Sequence, residues 1–490
     1  MSRPDFLKGE TWGFPGAAVE QLETHAAYVF LVGERAFKVK KSVKLPYLDF
    51  SRREMRHDAL ARELEVNRIF APEIYLGLSE VCGEPVLVMR RFAARALLAW
   101  QVRHGGVGPS LALKLAAMAV AAHDVAPRRI VSGSAIMMGL GVQLSRAFTG
   151  APDIFPPGET LTFHAFCEAS LKACKKLLDA RSAQGLVRRC HGDMHCGNII
   201  VENDEPKLFD AIEFSEAIAT VDVLYDLAFL LMDLWTQKEK RSANIILNRY
   251  LHLRRAEENL TGLAALPLFL SMRAGVRAVV SGDLARELAP SKSMQARGQA
   301  LDYFRAAIDH LKMEKPMLVC IGGLSGTGKS TAAADLAVQL GAAPGAIHIR
   351  SDIERKVLAG VEETQRLGPE HYGPEASHAV YQACLSRAGR ALRAGYSVVV
   401  DAVFAKLEER RLFESCAGGI ASNFLGVWLE APASVLASRI SARQADASDA
   451  TVEVVARQLH YDLGPINWAR INAADSPART LAGIAALLRP

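Results

Sequence analysis

The chain has 490 residues, of which half are apolar and 23% are charged, as expected for a soluble globular protein of more than one domain. Its net charge of +5 is small for this length, and no run of five like charges occurs, so binding of a long polyanion is not its main task. The eight cysteines lie scattered without a Cys-x-x-Cys pair. That pattern favours reduced, mostly buried thiols over disulfides or a zinc site.

The N-terminus lacks the apolar core of a secretion signal. The two most apolar windows, 227–235 and 263–280, are interrupted by Asp233 and by Arg273 and Arg277. Neither window offers about 20 uninterrupted apolar residues, so we expect no membrane span and a cytoplasmic location.

The first 312 residues begin with strands and continue as helices. Apolar alternation around the turn Gly33-Glu34 predicts a β-hairpin over 26–43, and a further strand is predicted over 85–89. Ser51 and Glu54 occupy capping-box positions of a predicted helix. The helical regions are expected at 51–69, 110–126, 160–184 and most of 222–312.

A cluster of polar residues precedes the last helical region. It reads His191-Gly192-Asp193-Met194-His195-Cys196-Gly197-Asn198, and Asp210 follows twelve residues later, after a predicted short hairpin. Phosphoryl transfer from ATP needs a carboxylate that takes the proton of the acceptor hydroxyl, and oxygen ligands for the magnesium that bridges the phosphates. Asp193 fits the first role, and Asn198 and Asp210 fit the second. The interval of five between Asp193 and Asn198 equals that of protein kinases.

The pattern His-Gly-Asp-x-His-x-x-Asn resembles the aminoglycoside phosphotransferase family of small-molecule kinases, over roughly residues 20–310. The resemblance implies a two-lobed, protein-kinase-like fold with Asp193 as the base and with Asn198 and Asp210 on magnesium. His195 is either part of the site or purely structural.

The same resemblance implies a lysine that holds the phosphates and a glutamate that pairs with it. Lys38 and Lys40 share one face of the third strand, so the sequence does not choose between them, and we favour Lys40. A solvated strand face is the alternative for each lysine. Glu63 is the expected partner on the following helix.

Two further acids leave an alternative open. We expect Asp222 and Asp226 to cap a helix that starts near Val223. The alternative is that Asp222, like Glu213, is an additional ligand of metal or substrate.

After residue 316 short apolar runs alternate with helix-length segments, which predicts a P-loop NTPase fold with a parallel sheet between helices. The strands are predicted at 317–322, 346–351, 397–401 and 424–430. We expect a first domain over 1–312, with a small lobe to about 92 and a large helical lobe from about 93, a linker over 313–316 and a second domain over 317–490.

The segment from Gly323 to Ser330 fits G-x-x-x-x-G-K-[ST] between a strand and a helix. Backbone N–H groups of such a loop bind phosphates, its lysine contacts the β- and γ-phosphates, and its serine binds magnesium. The predicted nucleotide-binding residues are Gly323, Ser325, Gly326, Thr327, Gly328, Lys329, Ser330 and Thr331.

Other residues indicate a kinase rather than a mechanical ATPase. Asp352 and Arg355 form an Asp-x-x-Arg segment that resembles polynucleotide kinases and zeta-toxin-like kinases, which implies that Asp352 activates the acceptor hydroxyl and Arg355 contacts the substrate. Asp401 ends a buried-type strand and is expected to support magnesium. Arg443, and after it Arg439, resemble the lid arginines of the adenylate-kinase-like group. A helix cap at Asp352 and surface positions for the arginines are the simpler alternatives.

Together these features predict a multidomain protein of mixed α/β and α+β class. We expect it to be a bifunctional kinase that uses ATP or GTP with Mg²⁺. The expected partners are small hydroxylated substrates. Nucleic acid is less favoured because the chain is only modestly basic, and no membrane partner is expected. The alternatives are a P-loop domain that senses nucleotide and regulates the first domain, or a C-terminal half that phosphorylates polynucleotide 5′-hydroxyls or acts as a zeta-toxin-like kinase.

Overall fold

The computed structural model describes residues 6–24, 26–45, 48–312, 314–420, 422–442 and 447–488. The chain divides into two compact units. The first contains Met1–Ile154, Leu171–Leu253 and Met272–Tyr303, and the second contains Phe155–Ser170, Arg254–Ser271 and Phe304–Pro490. Helical segments from before residue 312 thus group with the second unit, whereas the sequence predicts a border at 313–316. The domain limits therefore stay a prediction.

Short 3₁₀ turns aside, the elements before residue 312 are β1 Val19–Glu23, β2 Ala27–Val32, β3 Arg35–Lys40, β4 Lys44–Leu45, β5 Leu48–Asp49, α1 Arg53–Asn67, β6 Tyr75–Val81, β7 Glu84–Arg90, α2 Leu98–His104, α3 Pro109–Val125, α4 Gly133–Thr149, α5 Pro157–Ala183, β8 Val187–Arg189, β9 Ile199–Glu202, β10 Glu205–Leu208, α6 Glu216–Ala219, β11 Thr220–Asp222, α7 Val223–Thr236, α8 Lys240–Leu253, α9 Glu257–Thr261, α10 Leu266–Glu287 and α11 Pro290–His310.

The remaining elements are β12 Met317–Gly322, α12 Lys329–Ala337, β13 Ile347–Arg350, α13 Ser351–Leu358, α14 Pro374–Arg393, β14 Val398–Asp401, α15 Leu407–Gly419, β15 Asn423–Glu430, α16 Ala433–Ser441, α17 Val452–Gln458, β16 Ala469–Asn472 and α18 Pro477–Ala486.

An antiparallel five-stranded sheet forms the small lobe, in the order β1-β2-β3-β7-β6. Strands β2 and β3 confirm the predicted hairpin and pair Phe30 with Phe37. Phe37 packs with Trp12 in an apolar cluster on one face of the sheet. Because side chains alternate along a strand, Lys38 and Lys40 lie on the opposite face, toward α1.

Helix α1 begins at Arg53, and the predicted capping box of Ser51 and Glu54 is wrong. The N–H and the hydroxyl of Ser51 both donate to Oδ1 of Asp49, at 3.0 and 2.6 Å. This local Asx-type turn uses the serine that the cap would need.

Helix α7 is buried along almost its whole length. Asp222 accepts a backbone N–H of the first turn at 2.8 Å and also binds Arg181 at 2.7 Å, which confirms its predicted role as a cap. Asp226 is not a cap, because its fully buried carboxylate accepts the N–H of Gly192 instead. A second acid, Asp233, follows two turns later on the same face. Buried carboxylates need hydrogen-bond partners, and both find them in the loop that carries Asp193.

All five strands of the second sheet are parallel, in the order β13-β14-β12-β15-β16, which confirms the predicted sheet. The carboxyl ends of parallel strands lie at one edge. The register accordingly places Asp401 beside both Ile321 and Arg350. Strand β16 was not predicted because its four residues alternate between exposed and half-buried positions and form no apolar run.

One helical stretch among the described residues, Glu257–Glu287, is long and apolar enough to cross a membrane by length and composition alone. Of its most apolar window, 67% is buried inside the protein, as in the core helix of a soluble protein. All eight cysteines are free, and six of them are buried. Burial raises the pKa of thiols such as Cys190 and Cys320.

Candidate active sites

Two lysines of β3 meet one glutamate of α1. Nζ of Lys38 lies 2.5 Å from Oε1 of Glu63 and 3.2 Å from Oδ1 of Asp210. Nζ of Lys40 lies 2.7 Å from Oε2 of Glu63 and 2.8 Å from Oε1 of Glu213. Burial acts to raise the pKa of Glu63, but the two lysines lower it to about 2. Neither lysine therefore belongs to a solvated strand face.

The segment 191–198 forms a hydrogen-bonded loop around Asp193. Nδ2 of Asn198 donates to Oδ2 of Asp193 at 2.7 Å and to its backbone oxygen at 3.0 Å. Nδ1 of His195 accepts the N–H of Gly197 at 2.9 Å, so its proton sits on Nε2, 3.4 Å from Oδ2 of Asp193. Burial acts to raise the pKa of Asp193, but the hydrogen bond from His195 contributes most to lowering it to about 2. The carboxylate is thus ionised and oriented.

Two helices fix the backbone of this loop. Oδ1 of Asp226, from α7, accepts the N–H of Gly192 at 2.9 Å, and Nη1 of Arg273, from α10, donates to its carbonyl oxygen at 2.9 Å. Oδ2 of Asp233 accepts the N–H of Cys196 at 3.0 Å. Gly192 has a φ of 85°, a conformation that favours glycine. The loop is therefore held on both sides of Asp193, which limits the positions its carboxylate can take.

Asn198 and Asp210 lie on neighbouring segments. The N–H of Phe209 donates to the backbone oxygen of Asn198 at 3.0 Å, which joins the segments just before Asp210. The amide nitrogen of Asn198 is bound to Asp193, so its side-chain oxygen is the atom left to act as a ligand. The carboxylate of Asp210 is 46% exposed. These two oxygen donors fit the preference of Mg²⁺.

The predicted phosphate-binding loop connects β12 to α12. Gly326 and Gly328 both have a φ of 87°, so glycine is favoured at both positions. The carbonyl oxygen of Leu324 accepts Nζ of Lys329 at 2.9 Å and the hydroxyl of Thr327 at 2.8 Å. The loop is thus closed on itself, with Gly323 at its start.

Ser330 and Asp401 lie in direct contact beside this loop, joined by a hydrogen bond between the hydroxyl and Oδ2. Oδ1 of Asp401 also accepts a hydrogen bond from Nε2 of His348, at 2.9 Å. Burial acts to raise the pKa of Asp401, but His348, Arg350 and Ser330 lower it to about 2. The ionised carboxylate and the hydroxyl form a second pair of oxygen donors that fits magnesium. Thr331 follows as an exposed residue of α12.

Asp352 lies in the first turn of α13, directly after β13. Burial raises its pKa, and the negative charge of Asp401 acts in the same direction. Arg350, Lys329 and a hydrogen bond with Ser448 oppose this effect without cancelling it. A carboxylate with a raised pKa is a stronger base than an ordinary aspartate.

Arg355 lies one turn after Asp352. Its guanidinium carbon is 4.7 Å from the centroid of the Tyr372 ring, and it also donates to the backbone oxygen of His371. Oδ2 of Asp449 accepts the Tyr372 hydroxyl at 2.6 Å and Nζ of the buried Lys356 at 2.6 Å. These contacts fix the face of α13 that carries Arg355.

Arg439 and Arg443 are the two candidate lid arginines. Nη2 of Arg439 donates to the backbone oxygen atoms of Asp475 and Ala474, at 2.9 and 3.3 Å, after β16. Arg443 lies outside the described residues. One residue absent from the predicted site, Gln458, contacts the phosphate-binding loop, where its Oε1 accepts the N–H of Ser325 at 2.8 Å.

Two family models match separate parts of the chain. Residues 24–266 match the phosphotransferase enzyme family, and this range contains Lys38, Asp193 and Asp210. Residues 318–461 match an AAA domain, and this range contains Lys329 and Asp352. The chain joins two kinase-type domains, here called the phosphotransferase domain and the P-loop kinase domain. This two-domain kinase is a phosphotransferase that acts on hydroxyl groups.

Proteins of Mycobacterium tuberculosis and Mycobacterium bovis, both named as uncharacterized, are 29% identical to the two-domain kinase over 467 residues, which is 91% of each chain. Their similarity extends through both domains in the same order. A gluconokinase from Sinorhizobium meliloti is 24% identical and covers 36% of this chain and 94% of its own, with a TM-score of 0.25. A choline/ethanolamine kinase family protein from Mesorhizobium loti is 15% identical and covers 60% of this chain and 92% of its own, with a TM-score of 0.39.

Sequence reasoning missed the residues that hold the loop around Asp193 in place. Asp233 and Arg273 interrupt the two most apolar windows of the chain, where they argue against a membrane span. An isolated charge in an otherwise buried helix needs a buried partner. From this requirement, the sequence could have predicted that Asp233 and Arg273 bind a buried polar partner.

Proposed function

We propose that the two-domain kinase is bifunctional, and that each domain transfers the γ-phosphoryl group of ATP or GTP to a hydroxyl group. In each transfer the acceptor oxygen bonds to the γ-phosphorus, the bond to the bridging oxygen breaks, the nucleoside diphosphate leaves, and the hydroxyl proton goes to a carboxylate. One observation carries the proposal: each domain brings together a lysine, two oxygen donors and a further carboxylate. In the first domain these are Lys38, Asn198, Asp210 and Asp193. In the second domain they are Lys329, Ser330, Asp401 and Asp352.

In the phosphotransferase domain we assign the proton-accepting role to Asp193, which His195 and Asn198 orient. Asn198 and Asp210 would hold magnesium, which when bound neutralises the charge of the phosphates. Lys38 is the better candidate for the phosphate-binding lysine, because it touches Asp210. Lys40 instead forms an ion pair with Glu213.

This assignment predicts unequal effects of the two lysines on nucleotide binding. In the full chain carrying Lys329→Ala, Lys38→Met should raise the dissociation constant for Mg-ATP about 10- to 100-fold, because a charge-assisted hydrogen bond is lost. Lys40→Met, the matched control, should change it by less than about threefold. Titration with a fluorescent ATP analogue measures both values. A larger effect of Lys40→Met would restore Lys40 as the phosphate-binding residue.

In the P-loop kinase domain we assign phosphate binding to Lys329 and the backbone of its loop, and we assign magnesium to Ser330 and Asp401. Asp352 would accept the proton of the acceptor hydroxyl. Arg355, held one turn away, would contact an anionic part of the acceptor or the phosphoryl group in transfer. Arg439 and Arg443 remain candidates for the lid.

The two reactions should differ in their dependence on pH. A base acts only when it is deprotonated, and the pKa of Asp352 is raised. As the pH falls, the C-terminal reaction should therefore lose activity at a higher pH than a reaction that depends on an ordinary aspartate. Asp193, with a pKa of about 2, stays ionised down to pH 4 and imposes no such loss. The pH profile of kcat/KM for each labelled product measures this, and each domain serves as a control for the other. A loss of N-terminal activity at a higher pH than that of C-terminal activity would contradict the assignment.

We propose small hydroxylated molecules as the acceptors, and the covalent linkage suggests that both domains act in one pathway, even on one molecule in sequence. The full chain with Asp352→Ala makes only the N-terminal product, and the full chain with Asp193→Ala makes only the C-terminal product. Each purified product is then offered to the other variant. Transfer in one direction supports sequential action, and no transfer in either direction refutes it.

A further inference from the structure

Asp210 has an unusual backbone conformation. Its φ is 60°, in the left-handed region that non-glycine residues rarely adopt. Such a conformation persists only where the surrounding structure enforces it. The conformation directs the Asp210 carboxylate to Lys38, at 3.2 Å.

Two buried side chains from distant parts of the sequence hold this segment. The hydroxyl oxygen of Tyr75, at the start of β6, accepts the N–H of Asp210 at 2.9 Å. Oδ1 of Asn67, at the end of α1, accepts the N–H of Ala211 at 2.7 Å. Tyr75 is 1% exposed and Asn67 is fully buried. Consecutive N–H groups on the strained residue and the residue after it therefore have fixed acceptors.

Helix α1 connects this support to the phosphate-binding lysine. Glu63, which binds Lys38, lies one turn before Asn67, and Nδ2 of Asn67 donates to the backbone oxygen of Glu63 at 3.0 Å. The same helix thus positions the lysine through Glu63 and the Asp210 segment through Asn67. A displacement of either side chain would alter the distance between Lys38 and Asp210.

We propose that Tyr75 and Asn67 are positioning residues that hold Asp210 in the left-handed conformation in which its carboxylate binds magnesium with the nucleotide. This inference rests on the proposed function of the phosphotransferase domain. Both side chains bind backbone N–H groups, so they would act through the Asp210 segment. Loss of the Tyr75 hydroxyl leaves the N–H of Asp210 without this acceptor, so Asp210 can relax to an ordinary φ and turn its carboxylate away.

The test compares nucleotide binding with and without Mg²⁺. A fluorescent, non-hydrolysable ATP analogue is titrated into the full chain carrying Lys329→Ala, alone and combined with Tyr75→Phe or Asn67→Ala. We expect Tyr75→Phe to raise the Mg²⁺ concentration for half-maximal binding about tenfold, while binding in EDTA stays unchanged. Asn67→Ala should act in the same direction. The matched control is Tyr396→Phe, which removes the hydroxyl of another buried tyrosine, bonded to Ala343 at 2.9 Å.

The outcomes separate this inference from the proposed function. If Tyr75→Phe weakens binding equally with Mg²⁺ and in EDTA, or weakens neither, Tyr75 is a structural residue and the inference is overturned. If the Lys329→Ala parent shows no Mg²⁺-dependent binding at all, the proposed function fails, and the inference with it. Because Asn67→Ala removes buried hydrogen bonds and risks unfolding, Tyr75→Phe, which deletes one oxygen atom, decides the question. Thermal melting of each variant confirms its fold.

Discussion

Replacing Asp193 with alanine should abolish phosphoryl transfer by the phosphotransferase domain and leave transfer by the P-loop kinase domain intact. The change removes the carboxylate that accepts the proton and also the hydrogen-bond partner of Asn198, a proposed magnesium ligand. A positioned general base contributes about 10²- to 10⁴-fold, so we expect kcat to fall at least about 10³-fold when the disturbed ligand is included. Initial rates with γ-labelled ATP measure the change.

The control for this variant is Asp283→Ala. Asp283 is 63% exposed and pairs with Arg286 in the same helix, so its loss changes the net charge by the same amount without touching the site. Equal loss of both activities in Asp193→Ala would show that the two sites do not work independently. Full N-terminal activity in that variant would remove Asp193 from the mechanism.

Lys329→Ala should eliminate nucleotide binding by the P-loop kinase domain. A P-loop lysine contacts the β- and γ-phosphates directly, and loss of such a charged contact leaves too little affinity for binding at micromolar nucleotide. Equilibrium dialysis should therefore find about two bound nucleotides per wild-type chain and about one in the variant, since each domain is expected to hold one.

The matched control here is Lys312→Ala, which removes an exposed lysine that pairs with Asp309. This variant should bind as many nucleotides per chain as the wild type does. A stoichiometry of one in the wild type would argue that one domain binds no nucleotide. A change in N-terminal rate caused by Lys329→Ala would favour the alternative in which the P-loop domain senses nucleotide and regulates its neighbour.

The sequence predicted strands and loops best where short motifs and periodic patterns define them. The hairpin with Lys38 and Lys40 and the parallel strands around Lys329 follow from local alternation and from apolar runs. The proposed roles of Asp193, Asn198 and Asp210 rest on spacing, because the chemistry of phosphoryl transfer calls for these residue types at these intervals.

The sequence could not choose between Lys38 and Lys40, because both residues share one strand face. Our preference for Lys38 rests on its contact with Asp210, 172 residues further along the chain, and that contact depends on the packing of the large lobe against β3. The left-handed backbone at Asp210 is equally invisible in sequence, since its acceptor Tyr75 lies 135 residues away.

Local rules also failed where a competing partner was present. Ser51 fits a capping box, but its hydroxyl donates to Asp49 instead, and α1 begins without a side-chain cap. Asp226 fits a first-turn acid, but its carboxylate accepts the N–H of Gly192 and lies next to the buried His123. In both cases a specific hydrogen bond outweighed the propensity of the position.

The central claim is that one chain carries two independent phosphoryl-transfer sites. The direct test incubates wild type, Asp193→Ala and Asp352→Ala with γ-labelled ATP and a pool of small hydroxylated metabolites, and then resolves the labelled products. The account predicts that wild type forms two labelled phosphoesters, or one molecule labelled at two positions, and that each variant loses a different one. Loss of the same product from both variants, or of all products from either one, would contradict it.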